Sequence, residues 1–304
     1  MRVFCLCAVK NESDIVEQAL RAAANWSDAI YVLDNGSSDG TWEIVQGVAR
    51  ELPAVIPYKQ DPRPFDDGIR DNLLQAYRPR ARPGDWWCIL DADEFYIDNP
   101  REFLSNVPAR YNSVFAQLYN FVFTERDLIA YRNDPALYGS HVPIEQRLRY
   151  FTINDYSPIR FVRHSRTLRS LPYEGLHPVY PRLIRFRHYM YRSPEQIRKR
   201  FETRREPMLR GEWLHERRSA WTLGAETSLR PSPAQADELP EDWTERLIPS
   251  SKCCFDTGTG EFPEGPHWVP PRPPNNITRI KDRVRSSLGH LAHSLGPTLG
   301  TGST

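Results

Sequence analysis

The stretch WWCILDADEF, from Trp86 to Phe95, decides the fold class of this chain. Its apolar part follows a Pro-Gly-Asp turn and is typical of a buried strand. Three carboxylates come directly after it, at Asp91, Asp93 and Glu94. Ligands bind at the carboxyl ends of strands in open α/β sheets, and clustered carboxylates suit a hard cation such as Mg²⁺ or Mn²⁺. The stretch therefore predicts a divalent metal at a sheet edge, with a phosphate bound to it.

Upstream of this stretch, strand-like runs alternate with helical patterns. The runs are Val3–Val9, Ala29–Leu33 and Val55–Tyr58, and strands that alternate with helices imply parallel pairing with right-handed crossovers. We therefore predict an α/β fold whose mixed, mostly parallel sheet is flanked by helices. Downstream, strands are predicted over residues 113–123, 159–164 and 182–189, and a helix over residues 194–205.

Composition narrows the class of protein. The 304 residues suffice for one large or two small domains. The net charge of +1 gives no indication of nucleic-acid binding. Five cysteines do not form a disulfide framework, and Cys5 and Cys7 are expected to share one buried strand face. No apolar run approaches the roughly 20 residues of a membrane span. We expect a cytoplasmic protein, with peripheral contact at the inner face of the cell membrane as a further option.

Domain organisation is indicated by a change of character near residue 230. Residues 1–230 are predicted to form one α/β domain, and residues 231–304 a Pro-rich extension. Apolar positions between Ile277 and Leu295 fall near one face of a predicted terminal helix. That helix could dock on the domain, pair with a partner or lie on a membrane.

The acidic residues allow two interpretations. Asp91, Asp93 and Glu94 could be solvated acids at a helix start. Alternatively, strand alternation makes Asp91 and Asp93 face the same way and share one metal. Glu12 and Asp34 follow two other predicted strands at the same sheet edge, which favours a binding site over a simple turn.

Four motifs resemble, in order and spacing, those of the family 2 glycosyltransferases. They are AVKNE at residues 8–12, VLDNGSSDGT at 32–41, GIRDN at 68–72 and WCILDADEF at 87–95. The Asp-Ala-Asp-Glu-Phe form resembles a family 2-like branch near the family 92 enzymes. The resemblance covers about the first 100 residues and implies a GT-A fold with a nucleoside diphosphate sugar as donor, a UDP-sugar being favoured.

The resemblance also implies roles for individual residues. Asp34 and Glu12 would contact the nucleoside, and Asp93 would be a direct ligand of Mn²⁺ or Mg²⁺ within the Asp91–Asp93 pair. Asn35 replaces a second aspartate of many members, so the preferred base stays open. The residues expected at the nucleotide-sugar are Val9, Glu12, Asp34, Asn35, Arg70, Asp91 and Arg192.

A second resemblance lies in the stretch HYMYRSPEQ at residues 188–196. By likeness to the same branch, His188 would be a third metal ligand and Arg192 would bind phosphate. The alternatives are a structural histidine and a plain helix start, since Ser193 and Pro194 form a good helix cap. Arg70 likewise is either a surface arginine or a phosphate ligand.

An inverting transfer, which the resemblance implies, needs a carboxylate that takes the proton of the acceptor hydroxyl. Glu174 is the preferred candidate because Gly175 and His177 follow it in a tight loop, and Asp155 and Glu145 are the others. The hypothesis is a metal-dependent hexosyl transfer to a hydroxyl of a glycan or glycolipid acceptor, in the synthesis of a surface glycan. A nucleotide- or sugar-binding pseudoenzyme or scaffold is the alternative. A nucleotidyltransferase is less favoured because residues 10–13 lack the glycines of a triphosphate loop.

Overall fold

The strand predicted at the centre of the motif lies in the middle of a mixed β-sheet. The computed structural model describes residues 1–63, 65, 68–172, 175–209 and 247–271. The chain divides into two compact units, Met1–Val269 and Pro270–Thr304, and the described strands and helices belong to the first. None of the described helices is long and apolar enough to cross a membrane.

Ten strands and seven α-helices are described. The strands are β1 (Val3–Val9), β2 (Ala29–Asp34), β3 (Val55–Gln60), β4 (Trp86–Leu90), β5 (Glu94–Tyr96), β6 (Ser113–Phe121), β7 (Tyr150–Ile153), β8 (Ile159–Arg163), β9 (Ile184–His188) and β10 (Cys254–Phe255). The helices are α1 (Val16–Ala24), α2 (Thr41–Glu51), α3 (Ile69–Tyr77), α4 (Pro100–Ser105), α5 (Glu125–Asn133), α6 (Ile144–Arg147) and α7 (Pro194–Leu209).

The sheet has a parallel half and a largely antiparallel half. Its order is β10-β7-β6-β8-β4-β1-β2-β3, with β9 beside β6 and β5 beside β9. The pairs β4–β1, β1–β2 and β2–β3 are parallel because α1, α2 and α3 carry the chain back between strands. On the other side of β4, the pairs β4–β8, β8–β6 and β6–β7 are antiparallel. The predicted mixed α/β fold with flanking helices is confirmed.

Both faces of the parallel half are covered by helices. Residues Val16 and Leu20 of α1 pack with Cys5 and Cys7 on one face, whereas Leu73 of α3 packs on the other face. The side chains of β1 alternate between the two faces of the sheet, so they contribute to the hydrophobic core on each face. The prediction that Cys5 and Cys7 share a buried face is confirmed.

Part of the proline-rich segment packs on the sheet. Cys254 pairs with Phe151 in β7, and the Tyr119 hydroxyl donates to the Pro263 carbonyl at 2.8 Å. Residues 247–269 thus belong to the first compact unit. The boundary predicted near residue 230 and the terminal helix predicted between Ile277 and Leu295 lie outside the described residues.

Candidate functional site

The turn after β4 separates Asp91 and Asp93, which were expected to lie on the same face of the strand. Strand β4 ends at Leu90, and the N–H of Glu94 donates to the Asp91 carbonyl at 3.3 Å, closing a turn. Asp91 pairs with Arg70 and Arg160, whereas Asp93 faces His188. The expectation that Asp91 and Asp93 face the same way is wrong. Side chains alternate between two faces only along an extended strand, and this alternation stops where the backbone turns after Leu90.

Asp91 is held by two arginines. Arg70, which the sequence leaves open as a surface arginine or a phosphate ligand, contacts Asp91 Oδ1, and Arg160 Nη2 lies 3.2 Å from Asp91 Oδ2. Arg160 also contacts Glu94, whose side chain is fully buried, with Nε 2.9 Å from Oε2. Burial raises the pKa of Glu94 to about 7, although Arg160 opposes this shift. The group of two arginines and two acids fixes the turn on β8.

Asp93 belongs to a second group, which contains His188. His188 Nε2 lies 3.5 Å from Asp93 Oδ2, and His188 Nδ1 lies 2.9 Å from Asn120 Oδ1. Burial would raise the pKa of Asp93, but the charges of His188 and Arg200 outweigh it and lower the pKa below its ordinary value. Burial would conversely lower the pKa of His188, and Asp93 raises it instead. Asp93 is therefore a buried carboxylate that stays ionised.

The pair of Asp93 and His188 suits a divalent cation. Two ligands at about 2.1 Å from one Mg²⁺ ion lie at most about 4.2 Å apart, and the Oδ2–Nε2 distance of 3.5 Å falls within this limit. The described His, Cys, Asp and Glu side chains form no group of three that could hold an ion. An ion on this pair would complete its coordination with water and phosphate oxygens, as Mg²⁺ commonly does.

Asp34 and Asn35 lie at the carboxyl end of β2, beside the end of β1. Asp34 Oδ1 accepts from the N–H groups of Gly36 and Ser37, at 2.9 and 2.8 Å. Gly36 has a φ of +76°, which this turn requires and which favours glycine. Asp34 is fully buried, and its Oδ2 has no partner among the residues that the structure describes.

Asn35 offers a second buried acceptor. Its Nδ2 donates to the carbonyls of Asp61 and Arg63 at 2.8 and 2.7 Å, so the orientation of the amide is set. Its Oδ1 is buried with no described partner. The carbonyl of Val9 accepts from the Asn35 N–H at 2.8 Å, so Val9 positions this residue through its backbone.

Arg192 and Glu12 form a buried ion pair rather than an open binding surface. The Arg192 side chain is fully buried, with Nη2 2.6 Å from Glu12 Oε2 and Nε 2.7 Å from Asp14 Oδ2. Its Nη1 donates to the Tyr189 carbonyl. Burial raises the pKa of Glu12 to about 7, against the opposing charge of Arg192. These contacts give each nitrogen of the Arg192 guanidinium a protein acceptor.

Glu174, the expected base, lies outside the described residues. Leu176 is bound through its backbone to Ser113 Oγ, at the start of β6. Ser113 pairs with Val162, which in turn pairs with Trp87 at the start of β4. Asp91 follows the other end of β4, so the tethered loop residue lies towards the opposite sheet edge.

Sequence reasoning missed three residues of these groups, which are Asp14, Asn120 and Arg160. Arg160 had a weak signal, since it is a charged residue between apolar neighbours in a predicted strand. Asn120 is likewise a polar residue between apolar neighbours in β6. The pairing of β8 with β4 and of β9 with β6, which brings both residues to the site, has no local sequence signal.

Comparison with known proteins identifies the family. A search of curated proteins finds no match. The mannosyltransferase PcManGT from Pyrobaculum calidifontis, solved with GDP-Man and Mn²⁺, is 15% identical with a TM-score of 0.38. That alignment covers 69% of this chain and 64%, less than two-thirds, of the PcManGT chain. TarS 1-349 from S. aureus is 13% identical over 81% of this chain and 71% of its own, with a TM-score of 0.32.

The sequence profile described as glycosyl transferase family 2 matches residues 6–164, more than half of the chain. The chain therefore belongs to glycosyl transferase family 2.

Proposed function

We propose that this protein transfers a hexosyl group from a nucleoside diphosphate sugar to a hydroxyl of a glycan or glycolipid, in the synthesis of a surface glycan. One observation carries the proposal. The unpartnered Asp34 Oδ2 lies at the carboxyl end of β2, and Asp93, which faces His188, lies just beyond the carboxyl end of β4. These two strands flank β1 and run parallel to it. Ligands of α/β folds bind at this edge. Family membership supports the class of reaction.

The nucleoside would bind through Asp34 and Asn35. Both unpartnered atoms, Asp34 Oδ2 and Asn35 Oδ1, are acceptors, so the bound group must donate hydrogen bonds. A base with a ring N–H, such as uracil, or a ribose hydroxyl meets this requirement. A UDP-sugar is the donor that we propose, and Asp34 is the residue that would recognise it.

The diphosphate would lie next to Asp93 and His188. These two residues would hold Mn²⁺ or Mg²⁺, and the ion would stabilise the charge of the departing nucleoside diphosphate. His188 is oriented for this role by Asn120, which contacts its other ring nitrogen at 2.9 Å. Asp91 would act near the ribose or phosphates rather than as a ligand, because Arg70 and Arg160 occupy its oxygens.

The transfer that we propose is inverting. The acceptor oxygen attacks the anomeric carbon from the face opposite the diphosphate, and the bond from that carbon to the phosphate oxygen breaks. A carboxylate takes the hydroxyl proton. Glu174 stays the candidate from the sequence for this role.

A thermal-shift panel tests the proposal. UDP, GDP, dTDP and CMP are each added with and without Mn²⁺, because a ligand that binds only the native state raises its stability. We expect a shift with one diphosphate that requires Mn²⁺ and disappears in Asp93→Asn. Glu43→Gln, which changes an exposed carboxylate of α2, is the matched control. No shift with any nucleotide would overturn the proposal, and a shift without sugar transfer would favour the pseudoenzyme.

A further inference from the structure

Helix α7 crosses the loops that follow three parallel strands. Thr203 Oγ1 accepts from Asn11 Nδ2 at 2.7 Å, in the loop after β1. Lys199 Nζ lies 3.9 Å from Asp39 Oδ2, after β2, and Arg200 Nη1 lies 3.9 Å from Asp93 Oδ2, after β4. The helix therefore covers the sheet edge at which the donor is proposed to bind.

Three consecutive cations on α7 point in different directions. Arg198 is exposed to solvent, Lys199 faces Asp39, and the Arg200 side chain is only 10% exposed and faces Asp93. Successive helical residues are about 100° apart around the axis, so one cation of a run of three can enter a site while its neighbours do not. Of these three, Arg200 is the one directed to the proposed diphosphate site.

Arg192 cannot bind the diphosphate without breaking the contacts that it makes within the protein. Its guanidinium is fully buried and donates to Glu12, Asp14 and the Tyr189 carbonyl. It lies two residues before α7 begins at Pro194. Because Glu12 and Asp14 follow β1, the ion pairs tie the start of α7 to the parallel half of the sheet.

We infer that Arg200 is the α7 cation that binds the diphosphate of the donor, and that Arg192 is a positioning residue that anchors the helix. The inference rests on the proposed function. A diphosphate bound beside Asp93 would bring phosphate oxygens within reach of the Arg200 guanidinium, whose planar donors suit phosphate. Arg200 would then exchange its approach to Asp93 for a contact with the leaving group, which favours departure of the nucleoside diphosphate.

The test compares binding of UDP and UMP, with Mn²⁺, to the full-length protein and its Arg200→Met variant by calorimetry. Since a hydrogen bond to a charged group contributes about 1.5–3 kcal/mol, we expect UDP to bind about 10- to 150-fold more weakly. UMP affinity should change less than about threefold, on the same scale of energies. Arg198→Met and Lys199→Met are the matched controls, and both should keep the affinity for UDP.

Three results would overturn the inference. The first is an Arg200→Met variant that binds UDP with the affinity of the wild type. The second is an equal loss of affinity for UDP and UMP in this variant, which would indicate a purely structural role. If the wild type binds no nucleoside diphosphate of the thermal-shift panel, the proposed function fails together with the inference. Where another diphosphate gives the shift, it and its monophosphate replace UDP and UMP. Arg200→Lys, which keeps the charge and loses the planar fork, provides a second variant if Arg200→Met does not fold.

Discussion

Nε2 of His188 lies 3.5 Å from Oδ2 of Asp93, across the junction of β9 with the turn after β4. His188 pairs with Glu94 in the β5–β9 ladder and with Asn120 in the parallel β6–β9 ladder. Asn120 Oδ1 accepts from one ring nitrogen and leaves the other directed at the carboxylate. This arrangement sets the tautomer and the orientation that a metal-binding histidine needs.

Asn120→Ala should weaken the response to metal. Loss of a residue that orients a metal ligand costs about 10- to 100-fold in metal affinity, so sugar transfer should require at least about tenfold more Mn²⁺. The measurement is transfer rate against Mn²⁺ concentration. Asn112→Ala is the control, because Asn112 donates to the His177 carbonyl, beside the start of β6. An unchanged Mn²⁺ requirement in Asn120→Ala would contradict the role of His188.

Asp34→Asn should reduce nucleotide binding with little loss of fold stability. The amide oxygen keeps the acceptor used by Gly36 and Ser37, while the unpartnered Oδ2 becomes a donor. An unsatisfied group of this kind costs about 1–3 kcal/mol in the complex. Calorimetry with the diphosphate of the panel measures the change. Glu43→Gln, on the exposed surface of α2, is the control, and equal affinity in both variants would exclude Asp34 from the site.

Arg160→Met should strongly destabilise the fold. It leaves Asp91 and the buried Glu94 without their shared cation, and breaking a buried pair costs about 3–5 kcal/mol. Chemical denaturation at pH 7 gives the free energy of unfolding. Arg101→Met removes the more exposed pair with Asp28 and should cost no more than about 1 kcal/mol. Similar losses in the two variants would refute a structural role for the Arg160 group.

Asp85 makes stability depend on pH at the opposite edge of the sheet. Burial would raise the pKa of Asp85, but the N–H groups of Arg82 and Arg2 and the Arg2 guanidinium lower it below its ordinary value. Because the folded pKa is the lower one, the carboxylate stabilises the fold above about pH 3.9 and loses this contribution as the pH falls towards the folded pKa.

Asp85→Asn should therefore be less stable than the wild type by about 1–2 kcal/mol at pH 7, and the difference should shrink at pH 3. Urea denaturation at both values measures it. Asp155→Asn, an exposed change of the same kind, should alter stability little at either pH. A difference between Asp85→Asn and the wild type that is constant with pH would show that the charge of Asp85 does not matter.

Local patterns predicted the parallel half of the sheet well. Apolar runs bounded by turns located β1, β2, β3 and β4. Burial on two faces imposes a continuous apolar stretch on β1, β2 and β4, whereas β3 is a partly exposed edge strand. Acidic and amide residues at the ends of these strands were expected at one edge, and the carboxyl ends of β1, β2 and β4 do meet there. The start of α7 at Pro194 was also predicted, because the residues that cap a helix are adjacent to it in the sequence.

Long-range pairing decided how these residues are used. The sequence predicted that the acidic residues lie at one edge of the sheet. Because of the turn after Leu90, however, Asp91 contacts Arg160 whereas Asp93 faces His188. Likewise, Arg192 contacts Glu12 although 180 positions separate them. Periodicity and turn chemistry act between neighbours in the chain, so they can be read from it directly. The partner of a buried charge depends instead on which strands lie side by side, and only the assembled sheet places β8 and β9 beside the acidic turn.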